Sequence, residues 1–172
     1  GNTEIFIQKL DANGNPIWAK GIGGTSGDVG NSVTTDPTGN IYTTGFFFGS
    51  VDFDPGTGVN NMTSLGMADA FLLKLDSNGD FLWSANFGGS GYNEGRSVNI
   101  GNDGAVYSTG HFQQTVDFDH TIGSFDLTSA GNNDIYVQKI GQCTPAAGTD
   151  VIMTCDSLLW IDGNTYYVNN NS

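Results

Sequence analysis

Two copies of one tetrapeptide hold the carboxylates best placed to do chemistry in this chain. Residues 51–54 read Val-Asp-Phe-Asp, and residues 116–119 repeat them. Alternate residues of a strand point to one side, so Asp52 with Asp54, and Asp117 with Asp119, each present two carboxylates together. Such oxygen pairs suit Ca²⁺, although its shell of roughly six to eight oxygens would need further donors. The preferred reading is structural: the carboxylates cap turns and neutralise lysines that recur in register. The spacing is not that of an EF-hand loop, and no cofactor is then needed. A second group is aromatic. Phe46, Phe48, Tyr92 and His111 differ between the two copies and are the candidates for contact with a partner. Trp18 and Trp83 are equivalent and are expected to pack between repeats. Catalysis is poorly provided for. His111 and His120 occur in the second copy only, Glu94 is the one glutamate of a Gly-rich crossing, and no Ser-His-Asp or Cys-His set can be assembled. Repetition of the same aspartate pair argues for structure over glycoside hydrolysis. The segment is expected not to be an enzyme.

The elements that must position these groups are repeats. DAFLLKLDSNGDFLW, residues 69–83, recurs as EIFIQKLDANGNPIW at 4–18, and its first part recurs as DIYVQKI at 134–140. Lys9, Lys74 and Lys139 mark a register of 65 residues, and about 25 of those positions are identical between the two full copies. Ile5–Leu10 and Pro16–Ile22 flank the turn sequence Asp-Ala-Asn-Gly, a hairpin signal. Residues 32–35 and 40–48 give two more strands, and the Val-Asp-Phe-Asp stretch adds an extended piece. Four antiparallel strands per repeat describe a propeller blade. Alternation puts Ile41, Thr43, Gly45 and Phe47 on one face, the expected core. Phe46 and Phe48 lie on the other face and become His111 and Gln113 in the second copy, so that face is expected to meet water or a different neighbour. Each repeated lysine is expected near an aspartate, since an unpartnered buried ammonium is costly.

Composition agrees with an all-β chain. Gly occurs 26 times and sixteen aspartates stand against two glutamates, so turn formers abound and helix formers are scarce. A net charge of −13 repels nucleic acid and anionic membrane surfaces. No stretch has the length of an apolar membrane span.

The pattern D-x-F-x-x-K-L-D-x-N-G-x-x-x-W, then Gly-Gly, Ser-Val, G-x-[IV]-Y-x-T-G-x-F and V-D-F-D, resembles the SBBP-type β-propeller repeat of large secreted surface proteins of Bacteroidetes. The resemblance covers residues 4–140. It implies an all-β propeller exported to the cell surface, often by the type IX route, in adhesin-like proteins, and it brings no catalytic residues. Residues 1–141 are therefore read as propeller repeats: a partial blade, two full repeats and a shared closing strand. Closure takes roughly four to eight blades, so the propeller is incomplete in this chain, which begins in mid-repeat and is expected to be a piece of something longer. Residues 142–172 resemble the opening of an Ig-like Cys-containing β module, expected to dock on the last blade or to be disordered. Cys143 and Cys155 suit a disulfide in an oxidising compartment, with two free thiols as the alternative. Asp156-Ser157-Leu158 fits a short O-glycan attachment pattern, which marks Ser157. The function expected is a non-catalytic, adhesin-type contact module for proteins or glycans, secreted to the cell surface, whose partners include other blades or domains of the same protein. The alternatives are a rigid spacer in a surface fibre and a propeller enzyme whose active site lies on other blades.

Overall fold

Apolar runs of about seven residues, cut by Asp-containing turns with a glycine at positive φ, leave the chain little choice but hairpins. The computed structural model describes residues 3–121 and 123–141, together with the backbone of two short strands at Ser157–Leu159 and Thr165–Tyr167. Strands β1 (Ile5–Leu10) and β2 (Pro16–Ile22) form a two-stranded sheet. Strands β3 (Val29–Thr35), β4 (Ile41–Asp52), β5 (Asn61–Leu75) and β6 (Phe81–Phe87) form a four-stranded sheet in sequence order. In the second copy β7 (Glu94–Ile100) and β8 (Val106–Phe112) precede a small ribbon of β9 (Thr115–Asp117) and β10 (Asp126–Thr128). Strand β11 (Asp134–Ile140) then pairs with β8. Strand β12 (Ser157–Leu159) adds to the open edge of β11 through Ile140 and Leu158 and pairs in turn with β13 (Thr165–Tyr167). Every pairing of named strands is antiparallel, and no helix occurs among the described residues. The architecture is an all-β array of β-propeller-type sheets.

The turns are built alike. Asp11 Oδ1 accepts the N–H groups of Asn13 and Asn15, each at 2.8 Å, and Asp76 Oδ1 accepts those of Asn78 and Asp80. These aspartates are turn residues, as the sequence suggested. At Asp36 burial opposes ionisation, but donors on Thr38, Asn40 and Tyr42 outweigh it and hold the carboxyl down at about 2.

Two apolar layers lie between the sheets. One joins Ile5, Ile7 and Ile22 to Ile41, Phe47, Phe53, Phe71, Leu73 and Leu75, with Trp18 packed on it. The other joins Tyr42, Ala70, Leu72 and Phe87 to Val98, Val106, Phe118, Tyr136 and Ile140, with Trp83 packed on it. The β4 reading therefore needs correction. Its Phe47 face is buried as expected, but Tyr42 and Thr44 on the opposite face are buried too, because the next sheet covers them. A middle sheet in a stack has two core faces.

The lysine expectation also holds only in part. Lys139 pairs with Asp103 at 2.7 Å, an interaction that holds the Asp103 carboxyl near 2. Lys74 lies 5.0 Å over the Tyr42 ring, where burial lowers its pKa against the opposing pull of the Asp36 charge. Lys9 instead donates to the Ser77 carbonyl at 2.7 Å, since the turn of the next repeat brings backbone oxygen within its reach.

The Val-Asp-Phe-Asp stretch is not a separate extended piece in the first copy. Its Val51 and Asp52 continue β4, which pairs with β5 past a bulge at Gly49, φ 67°, while Phe53 and Asp54 follow the strand's end. In the second copy Gln114 occupies the equivalent position at φ 60°, and the strand breaks into β8 and β9.

Candidate functional site

The four aromatic candidates, each at a position that differs between copies, come together at the second inter-sheet seam. Phe46 and Phe48 project from β4, the Gly-rich crossing before β7 carries Tyr92, and His111 stands on β8. Ring centroids lie 5.8 Å apart for Phe46–Phe48, 5.4 Å for Phe46–Tyr92, 6.2 Å for Phe48–Tyr92 and 5.9 Å for the stacked Tyr92–His111 pair. Each ring is half-buried, so the group is both a packing contact and a surface. Crossing and strand are held together by backbone bridges that both seams share: Thr3 with Gly27 and Ala68 with Tyr92, then Gly24 with Val51 and Gly89 with Val116. The scaffold repeats while its decoration does not. Position 27 is glycine where position 92 is tyrosine.

A polar set borders these rings. Glu94 is buried, and its Oε1 accepts from Asn31 Nδ2 at 2.9 Å and pairs with Arg96 Nε at 2.8 Å. Its Oε2 accepts from the Tyr92 hydroxyl at 3.4 Å and lies 3.8 Å from His111 Nε2. Burial, and then the Glu94 charge, pushes the Tyr92 phenol pKa upward. Arg96 is exposed, so a buried carboxylate is presented to solvent through a guanidinium. Sequence reading singled out Glu94 only as a crossing-loop glutamate and passed over Asn31 and Arg96. Arg96 is the one arginine of the chain, and its alignment with Asn31 at the 65-residue register was the available signal.

The aspartate pairs lie elsewhere and act on backbone. Asp52 Oδ1 accepts the N–H groups of Asp54 at 3.0 Å and Asn60 at 2.8 Å, and Asp117 Oδ1 accepts those of Asp119 and Phe125. Asp54 and Asp119 cap the following turn through Gly56 and Thr121. A Cβ at Gly58 or Gly123 would come within 2.1 Å of these carboxylates, so the glycines of the two copies are equivalent requirements. Among the described residues, no group of three or more His, Cys, Asp and Glu side chains is placed to hold a metal ion.

One carboxylate escaped the sequence reading. Asp69 is fully buried, its Oδ2 accepting from Leu65 N–H at 3.0 Å and Asn86 Nδ2 at 3.3 Å. Burial pushes its pKa upward against those donors. A Cβ at Gly88 would fall 1.8 Å from its carboxyl carbon. Cys143 and Cys155 and the Ser157 side chain lie outside the described residues.

Residues 17–45 match the family model of the SBBP β-propeller repeat. That span runs from β2 through β3 into β4, the part of the fold that carries one sheet into the next. The chain is also 30% identical over 117 residues, 66% of its length, to an uncharacterized WD repeat-containing protein, L264, of Acanthamoeba polyphaga mimivirus. It is 24% identical over 137 residues, 80% of its length, to the regulatory protein FlaEY of Caulobacter vibrioides. The matched regions span only 8% and 14% of those two proteins.

Proposed function

We propose that this chain is a non-catalytic recognition segment of a larger secreted, cell-surface protein, in which β-propeller blades hold a contact surface for a protein or glycan. One observation carries the reading: four ring-bearing positions at which the two repeats differ converge on one seam. There Phe46, Phe48, Tyr92 and His111 lie beside the Glu94–Arg96 pair. The same backbone bridges hold the crossing at both seams, so the aromatic decoration found at one of them is an addition to the shared scaffold. Flat rings beside a guanidinium suit the faces of sugars and the side chains of a protein partner. A relative named as a WD repeat-containing protein supports a repeat-built contact scaffold. The parent protein would be of the kind the resemblance implies, a Bacteroidetes adhesin exported by the type IX route, with residues 142–172 opening an Ig-like module. No cofactor is assigned, and the aspartate pairs are read as structural.

A glycan array probed with the intact protein, and with a Phe48→Ser/Tyr92→Ser double variant and an Arg96→Glu variant, tests the reading. Binding that drops at least tenfold in both variants while each remains folded is the expected result. If nothing bound by the intact protein, on the array or in capture from cell-surface extracts, is lost in the variants, the reading fails. A spacer would then be left.

A further inference from the structure

Three equivalent positions of the two repeats are apolar or paired in one copy and polar and unpaired in the other. Carried forward by the 65-residue register, Thr43, Phe71 and Leu73 become Ser108, Tyr136 and Gln138. In the first copy Phe71 and Leu73 are fully buried in the first apolar layer, and the Thr43 hydroxyl donates to the Ser32 carbonyl at 2.9 Å. No side-chain polar atom of that trio is left without a bond.

The second copy sets three polar side chains into the second layer. Ser108 pairs in register with Gln138, and Gly110 with Tyr136, so Ser108, Tyr136 and Gln138 share one face of the β8–β11 pair. It is the face of Val106, Phe112 and Ile140, which lie in the second layer with Tyr136 itself. Ser108 is 3% and Tyr136 5% exposed. Four atoms are shut off from solvent here without a hydrogen-bond partner among the described residues: the Ser108 hydroxyl, the Tyr136 hydroxyl and both polar atoms of the Gln138 amide. Burial pushes the Tyr136 phenol pKa upward and the nearby Ser108 hydroxyl opposes the rise, yet the two hydroxyls fall short of hydrogen-bonding geometry. Buried polar groups of this kind are costly unless something completes their bonds.

We propose that Ser108, Tyr136 and Gln138 hold at least one structural water molecule inside the second layer, and that the first layer is dry at the equivalent positions. The amide offers a donor and an acceptor and each hydroxyl offers both, which supplies the roughly three bonds that a buried water makes. The three side chains are neutral and the layer around them is apolar, so an ion would lose more hydration than they could replace. Both sheets of this seam belong to the described residues, and the inference is independent of the ligand proposed for the aromatic rings.

A high-resolution crystal structure of the full chain tests this directly. It should show an ordered water at roughly 2.7 to 3.2 Å from Tyr136 Oη and from at least one of Ser108 Oγ and the Gln138 amide. In solution, water-oxygen magnetic relaxation dispersion counts the water molecules held for longer than the protein tumbles. That count should fall by at least one in the Ser108→Thr/Tyr136→Phe/Gln138→Leu variant, which carries the residues of the first copy. Tyr136→Phe alone is a milder change, usable if the triple variant does not fold. It takes one partner from the water and should melt about 2 to 4 °C below wild type. Direct hydrogen bonds among the three side chains with no water between them overturn the proposal. So does an unchanged count of long-lived water in the folded triple variant, or a Tyr136→Phe protein that melts at or above wild type.

Discussion

At the scale of single residues, one carboxyl is held where water would not leave it. Asp69 lies within β5 beneath the Gly88 crossing, fully buried, and burial raises its pKa above the unfolded value of about 3.9. For a raised carboxyl, ionisation is easier in the unfolded chain. Its contribution to stability is therefore complete below the unfolded pKa and is lost as pH rises through the folded one. Asp69→Asn keeps an acceptor for Leu65 N–H and carries no charge. The variant should melt higher than wild type at pH 7, and the gain should vanish as pH falls below about 4. Thermal scans from acid to neutral pH read this directly, and a lower melting point at pH 7 would show that the carboxylate's hydrogen bonds outweigh its burial.

At the scale of elements, the close approach of first and second strands depends on two glycines. A Cβ at Gly45 would lie 1.8 Å from the Val29 carbonyl oxygen, and one at Gly110 would lie 1.9 Å from that of Glu94. Both sit beside the register shifts at Gly30/Ser32 and Gly95/Ser97. Backbone cannot yield as a flexible side chain does. Gly45→Ala or Gly110→Ala should cost about 3 kcal/mol, the upper part of the overpacking range. Gly49→Ala makes the contrast, since its Cβ would meet only Ser26 Oγ at 3.8 Å. There the left-handed φ is the whole penalty, about 1 kcal/mol. Urea unfolding of the three variants should give that ranking, and equal losses would contradict the geometry. Gly110→Ala should also weaken recognition at the seam, because the displaced backbone belongs to Glu94, which faces His111 across the β7–β8 pair.

At the scale of the whole molecule, stability comes from sheets stacked through two apolar layers. The Val-Asp-Phe-Asp stretches bind each repeat's outer turn to that stack, Phe53 packing 5.0 Å from Phe71 and Phe118 5.1 Å from Tyr136. Their carboxylates accept backbone N–H groups within their own turns. An ion held only by the folded form would raise the melting point by mass action. Melting in EDTA and in millimolar calcium should give the same midpoint. A rise with calcium would instead assign Asp52, Asp54, Asp117 and Asp119 to a metal site.

Repetition is why so much of the fold was legible. Lys9, Lys74 and Lys139 set the register, Asp11 and Asp76 marked turns, and matching copies separated scaffold from decoration, because local hydrogen bonding and strand alternation act over a few residues. The same comparison picked out Phe46, Phe48, Tyr92 and His111, though not that they meet. Their convergence depends on how one sheet lies on the next, which brings β4 against a crossing more than 40 residues away. The burial of Tyr42 and Thr44 was hidden for the same reason: alternation labels the two faces of a strand but does not count the neighbours. The Ser77 carbonyl as partner of Lys9 and the burial of Asp69 likewise belong to contacts between elements distant in sequence. Such contacts have no period within the strand, and only the assembled sheets decide them.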